Sequence, residues 1–340
     1  MNLKKITIAL AAMVFFCTAN TIYAEPLQVY GDVRIRYQDR TGDVEPAKAP
    51  GSHTITRIRV NMEAPLADKF SVYGRLAVEQ AAGLQHNNGL YDTAGVFDRW
   101  GAEYKFSSGS VKLGKQDIVL GQDGLVLMTL IDAVGKDNQL TGATVTLKTD
   151  KNTTIQLIGG RLGSGLFQPA EAVKANLYAV QVSNRIDRRL SVGATWRRIA
   201  AIDDYSALIA KLIGYNTEFD TYSLSGNYYL GNKTVVYTEV GKSNADKFNK
   251  AFSIGIAHMF DKKNSMSVNY FKQDVQAIML GNWGAPDFTV RNGSTTWKGY
   301  ANYYRHQMDK STLLEISDYY EKGNNTKSAN QFRLNVIKSF

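Results

Sequence analysis

The chain ends in the segment FRLNVIKSF (332–340), whose side chains largely alternate between apolar and polar. Large apolar residues share one parity: Phe332, Leu334, Val336 and Phe340. Polar residues share the other parity: Arg333, Asn335 and Ser339. Successive side chains of a β-strand point to opposite faces, so this alternation predicts a strand with one apolar and one polar face.

The same period of two recurs along most of the chain. Sixteen segments show it: 27–38, 53–63, 70–80, 96–106, 110–117, 139–148, 152–161, 174–184, 189–199, 218–229, 232–242, 250–260, 264–276, 294–306, 311–321 and 327–340. Most of them are close to the about 9–11 residues that a tilted strand needs to cross a membrane.

The connections between these segments alternate in length. Short connections follow the even-numbered strands at 64–69, 107–109, 149–152, 184–189, 230–232, 261–264 and 306–310. Longer connections follow the odd-numbered strands at 39–52, 81–95, 118–138, 162–173, 200–217, 243–249, 277–293 and 322–326. Short turns at one rim and long loops at the other are typical of membrane barrels, whereas a soluble sandwich or propeller has no reason for this alternation. We therefore predict an all-β fold: a closed, antiparallel, transmembrane β-barrel of about 16 strands, with short periplasmic turns and long extracellular loops.

The first 24 residues have the features of a secretory signal peptide. Lys4 and Lys5 precede the apolar run ITIALAAMVFF (6–16), and Ala24 is a suitable cleavage point. The sequence thus divides into a signal peptide at 1–24 and a barrel at 25–340. Cys17, the single cysteine, lies in the signal peptide, so the mature chain cannot form a disulfide.

Several other classes of function are disfavoured by the sequence. No apolar run of 18 residues follows Ala24, which excludes membrane-spanning helices. The formal net charge of +9 is typical of nucleic-acid partners, but secretion argues against them, and no nucleic acid is expected. The four histidines are scattered and predict no metal site. We expect no enzyme, because the sequence has no nucleophile motif paired with a histidine.

On these residues the chain resembles the general diffusion porins of Gram-negative outer membranes. The resemblance is carried by LQVYGDVRIRYQDR (27–40), VKLGKQD (111–117) and the final FRLNVIKSF (332–340). It implies three barrels in a homotrimer, outer-membrane lipids as surroundings, and no cofactor. It also implies that the barrel assembly machinery recognises the C-terminal signal of Phe332, Leu334, Val336 and Phe340. The location would be the outer membrane of a diderm bacterium, reached after secretion to the periplasm.

The parity of the first four strands places a set of arginines on the polar face. The set comprises Arg34, Arg36, Arg57, Arg59, Arg75 and Arg99. On the lipid face each would cost about 2–4 kcal/mol near the midplane, so we expect them to line the pore as a basic wall. The alternative is that they only solvate the lumen and pair with acidic residues on the same face: Asp32, Glu63, Glu79 and Glu103.

The third long loop, 118–138, is the expected constriction of the pore. Its apolar stretch 125–134 favours a short helix, and an apolar loop exposed at the cell surface would be unfavourable. The resemblance implies that the loop folds inward, opposite the arginines, with Asp123, Asp132 and Asp137 facing water. The alternatives are a loop packed on a neighbouring subunit and a lid.

The function expected from these observations is a porin for passive diffusion of small hydrophilic solutes and ions, leaning towards anions. One alternative is a substrate-specific outer-membrane channel for sugars or carboxylates. An alternative of another class is a surface adhesin or structural barrel whose lumen is plugged by its own loops.

Overall fold

The structure is a computed structural model that describes residues 26–42, 51–82, 94–121, 128–129, 140–162, 175–201, 218–274, 277, 296–325 and 328–340. Sixteen strands form one closed barrel in which sequential strands are antiparallel neighbours, as the sequence predicts. Two further short strands pair with each other inside the third long connection. Within the described residues, no helix is long and apolar enough to cross a membrane.

The strands are, in chain order, β1 (Gln28–Gly42), β2 (Gly51–Ala67), β3 (Phe70–Ala82), β4 (Ala94–Phe106), β5 (Gly109–Gln116), β6 (Val119–Leu120), β7 (Met128–Thr129), β8 (Leu140–Lys148) and β9 (Thr153–Leu162). The second half contains β10 (Ala175–Arg185), β11 (Leu190–Ala201), β12 (Glu218–Leu230), β13 (Thr234–Ser243), β14 (Lys250–Met259), β15 (Asn264–Asp274), β16 (Thr296–Gln307), β17 (Thr312–Gly323) and β18 (Ser328–Ser339). The sixteen barrel strands match the predicted segments within a few residues at each end.

The first and last strands close the barrel at the rim of the short turns, here called the short-turn rim. β1 pairs with β18 from Asp32↔Ser339 onward. Beyond that register, the Gly31 amide donates to the Phe340 backbone oxygen at 3.0 Å, and the Phe340 amide donates back to Gly31 at 3.1 Å. A Cβ at Gly31 would lie 2.7 Å from Cζ of the Phe340 ring. The glycine therefore leaves space for the terminal ring at the closing seam.

Burial follows the alternation of the strands. In β1, Arg34 and Arg36 are buried, whereas Ile35 is 52% and Tyr37 is 41% exposed. Because alternate side chains point to opposite faces, the exposed parity is the outer surface and the buried parity is the interior. This distribution, with polar residues inside and apolar residues outside, is the reverse of that in a soluble protein.

Exposed aromatic side chains mark both ends of the outer surface. Near the short turns these are Phe70, Tyr104, Tyr228, Phe260 and Phe340. Near the opposite rim, here called the long-loop rim, they are Tyr178, Tyr222, Phe252 and Tyr300. Two aromatic bands that flank an apolar belt are typical of transmembrane barrels.

A β-bulge interrupts the alternation in β4. Arg75 of β3 pairs with Arg99, but the next residue, Leu76, pairs with Phe97, so Asp98 is the extra residue. Phe97 and Trp100 are exposed outside, while Asp98 is fully buried and the Arg99 side chain is only 23% exposed. Asp98 and Arg99 are thus consecutive interior residues, which strict alternation does not predict.

The third long connection contains a strand pair where the sequence favoured a short helix. Val119 pairs with Thr129 and Leu120 pairs with Met128. The helix expected over 125–134 is therefore wrong at Met128 and Thr129, because backbone pairing with 119–120 replaces local helical hydrogen bonds there. The rest of that stretch lies outside the described residues.

Candidate functional site

The arginines singled out from the sequence lie on interior positions of β1 to β4. Arg34, Arg36, Arg57 and Arg75 are between 2% and 5% exposed. The side chains of Arg59 and Arg99 retain more exposure, at 16% and 23%. The set therefore divides into residues packed within the wall and residues that water still reaches.

Two carboxylates pair with the arginines of β1 and β2. Asp32 accepts from Arg57 at 3.1 Å and from Arg59 at 2.8 Å, and Glu79 accepts from Arg34 at 3.3 Å. Asp32 and Arg59 face each other across the β1–β2 pair, so the register itself brings these opposite charges together. The sequence had offered Asp32 and Glu79 as partners.

Asp98 and Asp117 form a second group of partners that the sequence interpretation missed. Asp98 accepts two parallel bonds from Arg75, at 2.7 Å to Nε and 2.8 Å to a terminal nitrogen. Asp117, at the end of β5, lies 3.2 Å from Arg75 and 3.3 Å from Arg99. A bidentate, charge-assisted pair of this kind fixes the guanidinium plane as well as its position.

At least five of the six arginines therefore pair with carboxylates in the described structure. Arg36 donates to the Asn335 side chain of β18 at 2.7 Å. Buried charges need such partners because an unpaired ion is costly away from water. Most of these guanidinium groups are thus held by hydrogen-bonded partners, and the field that the wall exerts on a solute depends mainly on the groups that remain exposed.

Tyr73 organises the exposed part of this wall. Its ring centroid is 4.4 Å from Nζ of Lys112 and 5.8 Å from the Arg99 guanidinium carbon. Its hydroxyl donates to the Leu113 carbonyl at 3.0 Å, which holds the ring in place. Cations near the face of an aromatic ring are stabilised by its quadrupole. Arg59, Arg99 and Lys112 are the basic groups that we assign to the surface of the lumen.

The basic wall also extends further than the six predicted residues. Arg40 of β1 and Arg333 of β18 are interior and nearly buried. The Arg333 guanidinium carbon lies 4.8 Å from the Tyr319 ring centroid. The sequence could have predicted both interior positions, because Arg40 shares the parity of Arg34, and Arg333 lies on the polar parity of the last strand.

The first part of the third long loop lies against the far side of the barrel. Gly121 donates its amide to the Gln181 side chain of β10 at 2.8 Å. A Cβ on Gly121 would lie 2.7 Å from the Glu239 carboxyl carbon of β13, and the Gly121 φ of 80° is in the region that favours glycine. β10 and β13 are three strands apart in the barrel, and both side chains point inward. A residue can contact both only from inside.

This contact lies across the lumen from the arginines. In the ring of sixteen strands, β13 is eight strands from β3, and β11 is eight strands from β1. Glu239 is itself held by the Ser223 hydroxyl, which donates to it at 3.0 Å. The docking position of Gly121 is therefore polar, preformed and opposite the basic wall.

Buried apolar side chains lie on the inner wall of β8, β10 and β11, on and beside the strand that carries Gln181. Leu140, Leu177 and Ile199 are interior residues with 0% exposure, and Leu120 in the loop is also fully buried. In an open aqueous lumen these side chains would be exposed, so their burial means that they are covered from the lumen side. Apolar cover is a physical reason for the loop to fold inward.

Other predicted residues fall in two places. Asp123, Asp132 and Asp137 lie outside the described residues. Phe332 and Val336 are exposed on the outer face of β18, at 39% and 38%, and Leu334 shares their parity. Phe340, directly after the strand, is 59% exposed. Across the described part of the chain, no group of three or more side chains could hold a metal ion.

No protein-family model and no curated protein matches this chain. Solved structures of similar fold do exist. A loop L8 deletion mutant of OmpT, an outer membrane protein of Vibrio cholerae, is 15% identical with a TM-score of 0.57, and the match covers 93% of this chain and 99% of that one. Pseudomonas aeruginosa OccK5 (OpdH) is 12% identical with a TM-score of 0.55, covering 92% and 98%. A triple mutant of Rhodopseudomonas blastica porin is 11% identical with a TM-score of 0.55, covering 93% and 100%.

The likeness covers nearly the whole length of these proteins, so the chain has the barrel fold found in outer-membrane porins. At identities of 11–15% it shows the fold alone. The function has to be argued from the residues inside the barrel.

Proposed function

We propose that the protein is an outer-membrane porin that lets small hydrophilic solutes and ions diffuse passively through a water-filled lumen. The observation that carries this proposal is the polarity of the closed barrel, which is apolar and ringed by aromatics outside and charged inside. Lipid allows a sheet to cross only as a closed barrel, and a charged interior is stable only with water or partners. The proposal requires no reaction chemistry and no cofactor.

The loop 118–138 is the constriction in this proposal. Its support is the contact of Gly121 with Gln181 and Glu239, which brings the start of the loop to the wall opposite the arginines. Asp123, Asp132 and Asp137 would then face the lumen. An acidic loop opposite a basic wall produces a transverse field that orients dipolar solutes and limits their size.

The selectivity of the pore is proposed to lean towards anions. The support is the partial exposure of Arg59 and Arg99, together with Lys112 beside Tyr73. Arg34, Arg57 and Arg75 contribute less, because they are buried as well as paired with carboxylates, and the partial pairing of Arg59 with Asp32 and of Arg99 with Asp117 weakens the field of the exposed pair too. The expected preference is therefore moderate.

Assembly follows from the same proposal. Residues 1–24 would direct secretion to the periplasm and be removed. The outer-membrane barrel assembly machinery would recognise the last strand and its terminal Phe340, and three barrels would form a homotrimer among outer-membrane lipids. The seam between Gly31 and Phe340 gives the last residue a structural role of its own.

A liposome-swelling assay with uncharged sugars of increasing size tests this function. A porin gives swelling rates that fall smoothly with solute size and do not saturate with concentration. A substrate-specific channel gives a saturable rate for one class of sugar or carboxylate and little swelling for others. A plugged barrel or adhesin gives no swelling.

Of the alternatives, a channel for carboxylates has structural support, because the basic groups assigned to the lumen surface, Arg59, Arg99 and Lys112, match an anionic substrate. A sugar channel has less structural support. Two large interior aromatics, Phe271 and Trp297, are only 1% exposed, so their ring faces are not available to a sugar in the lumen. Current block by a dicarboxylate that saturates with concentration would favour the carboxylate channel over the general porin.

A further inference from the structure

The short-turn rim carries an excess of basic residues. The seven short turns, the two adjoining residues of each strand and the end of β18 together contain twelve basic and five acidic residues. All twelve basic side chains are exposed. Within the described structure, Lys338 is the one that forms an ion pair, with Asp309 at 3.5 Å. The rim therefore has a net positive charge.

The sequence at the opposite end of the barrel has no such excess. Counted in the same way, the long connections and the two adjoining residues of each strand contain fourteen acidic and twelve basic residues. Charge is thus distributed unevenly between the two ends, with the basic excess at the short-turn rim. The proposed passage of solutes does not by itself require such a difference.

Three basic residues of this rim belong to the inner face of the barrel, and we call them the basic arc. They are Lys105 near the end of β4, Lys148 at the end of β8 and Arg185 at the end of β10. Each shares the parity of an interior residue of its own strand, respectively Arg99, Leu140 and Leu177. The three strands alternate with β5 and β9 in the barrel, so the basic arc follows one side of the mouth.

The charges of the basic arc are available to ions at this mouth. All three side chains are exposed, and none of them forms an ion pair in the described structure. Arg185 donates from Nε to the Asp187 backbone carbonyl at 3.2 Å, and this neutral partner leaves its charge in place. Water and dissolved anions can therefore approach each of the three groups.

Three interior carboxylates lie a few residues further inside the barrel. Glu315 pairs with Arg305 at 2.8 Å, and Glu103 faces Lys112 in the register of β4 and β5. Glu63 lies on β2, outside the side of the mouth that the basic arc follows. These carboxylates therefore leave the mouth between β4 and β10 positively charged.

Fixed positive charge at one mouth of a pore raises the local concentration of anions there. When a voltage drives anions in through that mouth, the enriched anions fill the rest of the lumen and the current is large. The opposite voltage draws anions from the end without the basic excess, so the current is smaller. Charge at one mouth thus makes the current depend on the sign of the voltage.

We propose that the basic arc makes the pore an asymmetric conductor, which passes more current when anions are driven in through the short-turn rim. Arg59, Arg99 and Lys112, further inside, determine the preference for anions. The basic arc determines the direction in which anions flow more easily. This proposal rests on the proposed function, since it needs an open lumen.

The test is the current of oriented channels in a planar bilayer at equal voltages of opposite sign. Biotin attached to Ser108→Cys, in the short turn between β4 and β5, marks the orientation, because the chain has no cysteine after residue 17. Streptavidin is too large for the pore and binds only from the chamber that this turn faces. Currents are recorded at salt concentrations of about 0.1 M and about 1 M, where the screening length is about 10 Å and about 3 Å.

Three variants separate the basic arc from the rest of the rim. The arc variant carries Lys105→Gln, Lys148→Gln and Arg185→Gln. The matched tip variant carries Lys151→Gln, Arg188→Gln and Arg189→Gln, which remove the same charge from the neighbouring turns. A charge-preserving variant carries Lys105→Arg, Lys148→Arg and Arg185→Lys, and it separates loss of charge from loss of fold.

We expect wild type to pass about twofold more current in the favoured direction at the lower salt concentration, and nearly equal currents at the higher one. The arc variant should lose most of this difference, whereas the tip variant and the charge-preserving variant should keep most of it. Equal wild-type currents at low salt, a larger current in the opposite direction, an unchanged difference in the arc variant, or equal losses in the arc and tip variants would overturn the proposal.

The same recordings separate this proposal from the proposed function. Stepwise wild-type currents that are equal in both directions at low salt would refute the role of the basic arc alone and leave the porin in place. A wild-type protein that inserts but never conducts would refute the porin itself, and the proposal with it.

Discussion

Arg59 and Arg99 differ from the other arginines of the wall because water reaches them. Arg75, by contrast, is held by two bonds from Asp98 and a third contact with Asp117. A paired charge buried in the wall exerts a weaker net field on a solute than an exposed one. Ion selectivity should therefore depend on Arg59 and Arg99 more than on Arg75.

The change Arg59→Gln together with Arg99→Gln should lower the anion-to-cation permeability ratio. One charge about 4 Å from an ion in water contributes about 1 kcal/mol, so each loss should lower anion permeability and raise cation permeability by up to about fivefold each, and less in high salt. The reversal potential in a salt gradient measures the anion-to-cation permeability ratio. Arg188→Gln with Arg189→Gln, in a short turn, removes the same charge outside the lumen and should leave the ratio unchanged.

Gly121→Ala should detach the third loop from the wall and raise the single-channel conductance. Its φ of 80° costs about 1–2 kcal/mol for a residue with a Cβ, and the added methyl group would overlap the Glu239 carboxylate. Gly231→Ala is the matched control, because Gly231 also has a positive φ, of 69°, but has open space around it. Unchanged conductance and unchanged solute size limit in Gly121→Ala would contradict a role for this contact in the constriction.

Four of the seven short turns contain an aspartate that accepts backbone hydrogen bonds from within the turn. Asp309 accepts from the Ser311 and Thr312 amides at 2.8 and 2.9 Å. Asp150, Asp187 and Asp261 accept from the amides two and three residues later in the same way. Aspartate side chains favour such turns because they replace a backbone acceptor. These turns fix the register of consecutive strands.

The Asp309 turn should make barrel stability depend on acid pH. Hydrogen bonds from the Ser311 amide and the Thr312 and Ser311 hydroxyls, aided by nearby Lys338, hold the pKa of Asp309 well below its usual 3.8. The carboxylate therefore stabilises the fold above about pH 4, and this stability is lost as the pH falls through the lowered pKa.

Thermal unfolding of Asp309→Asn in detergent measures this effect. The amide keeps an acceptor but no longer titrates, so the fall in the unfolding midpoint between pH 4 and pH 2 should be smaller than in wild type. Asp309→Ala should lower the midpoint already at pH 7. If the unfolding midpoint of Asp309→Asn falls between pH 4 and pH 2 by as much as that of the wild type, the result would contradict the role of the charge.

The whole molecule shows which features a sequence of this kind can predict. Period-two alternation and the lengths of the connections define the strands and the two rims, because both are local properties of the chain. The pairing of Arg75 with Asp98 could not be predicted, since it depends on a bulge that changes the face of one residue. The docking of Gly121 on Glu239 could not be predicted either, because it joins residues far apart in sequence.

The polarity of the barrel as a whole raises the question of whether its lumen is open. The barrel has an apolar outer belt and a charged interior, and the start of its third long loop contacts the inner wall at Gly121. These features fit the proposed passage of water and solutes along the barrel axis. A lumen filled by its own loops would share the first two features. Only a measurement of transport separates an open lumen from a filled one.

That measurement is the single-channel current of the purified protein in a planar bilayer under a salt gradient. We predict stepwise, ohmic conductance and a reversal potential with the sign of a moderate anion preference. Conductance steps with a cation preference would contradict the assignment of selectivity to Arg59 and Arg99. Stable insertion without any current would contradict the open porin and favour a plugged structural barrel.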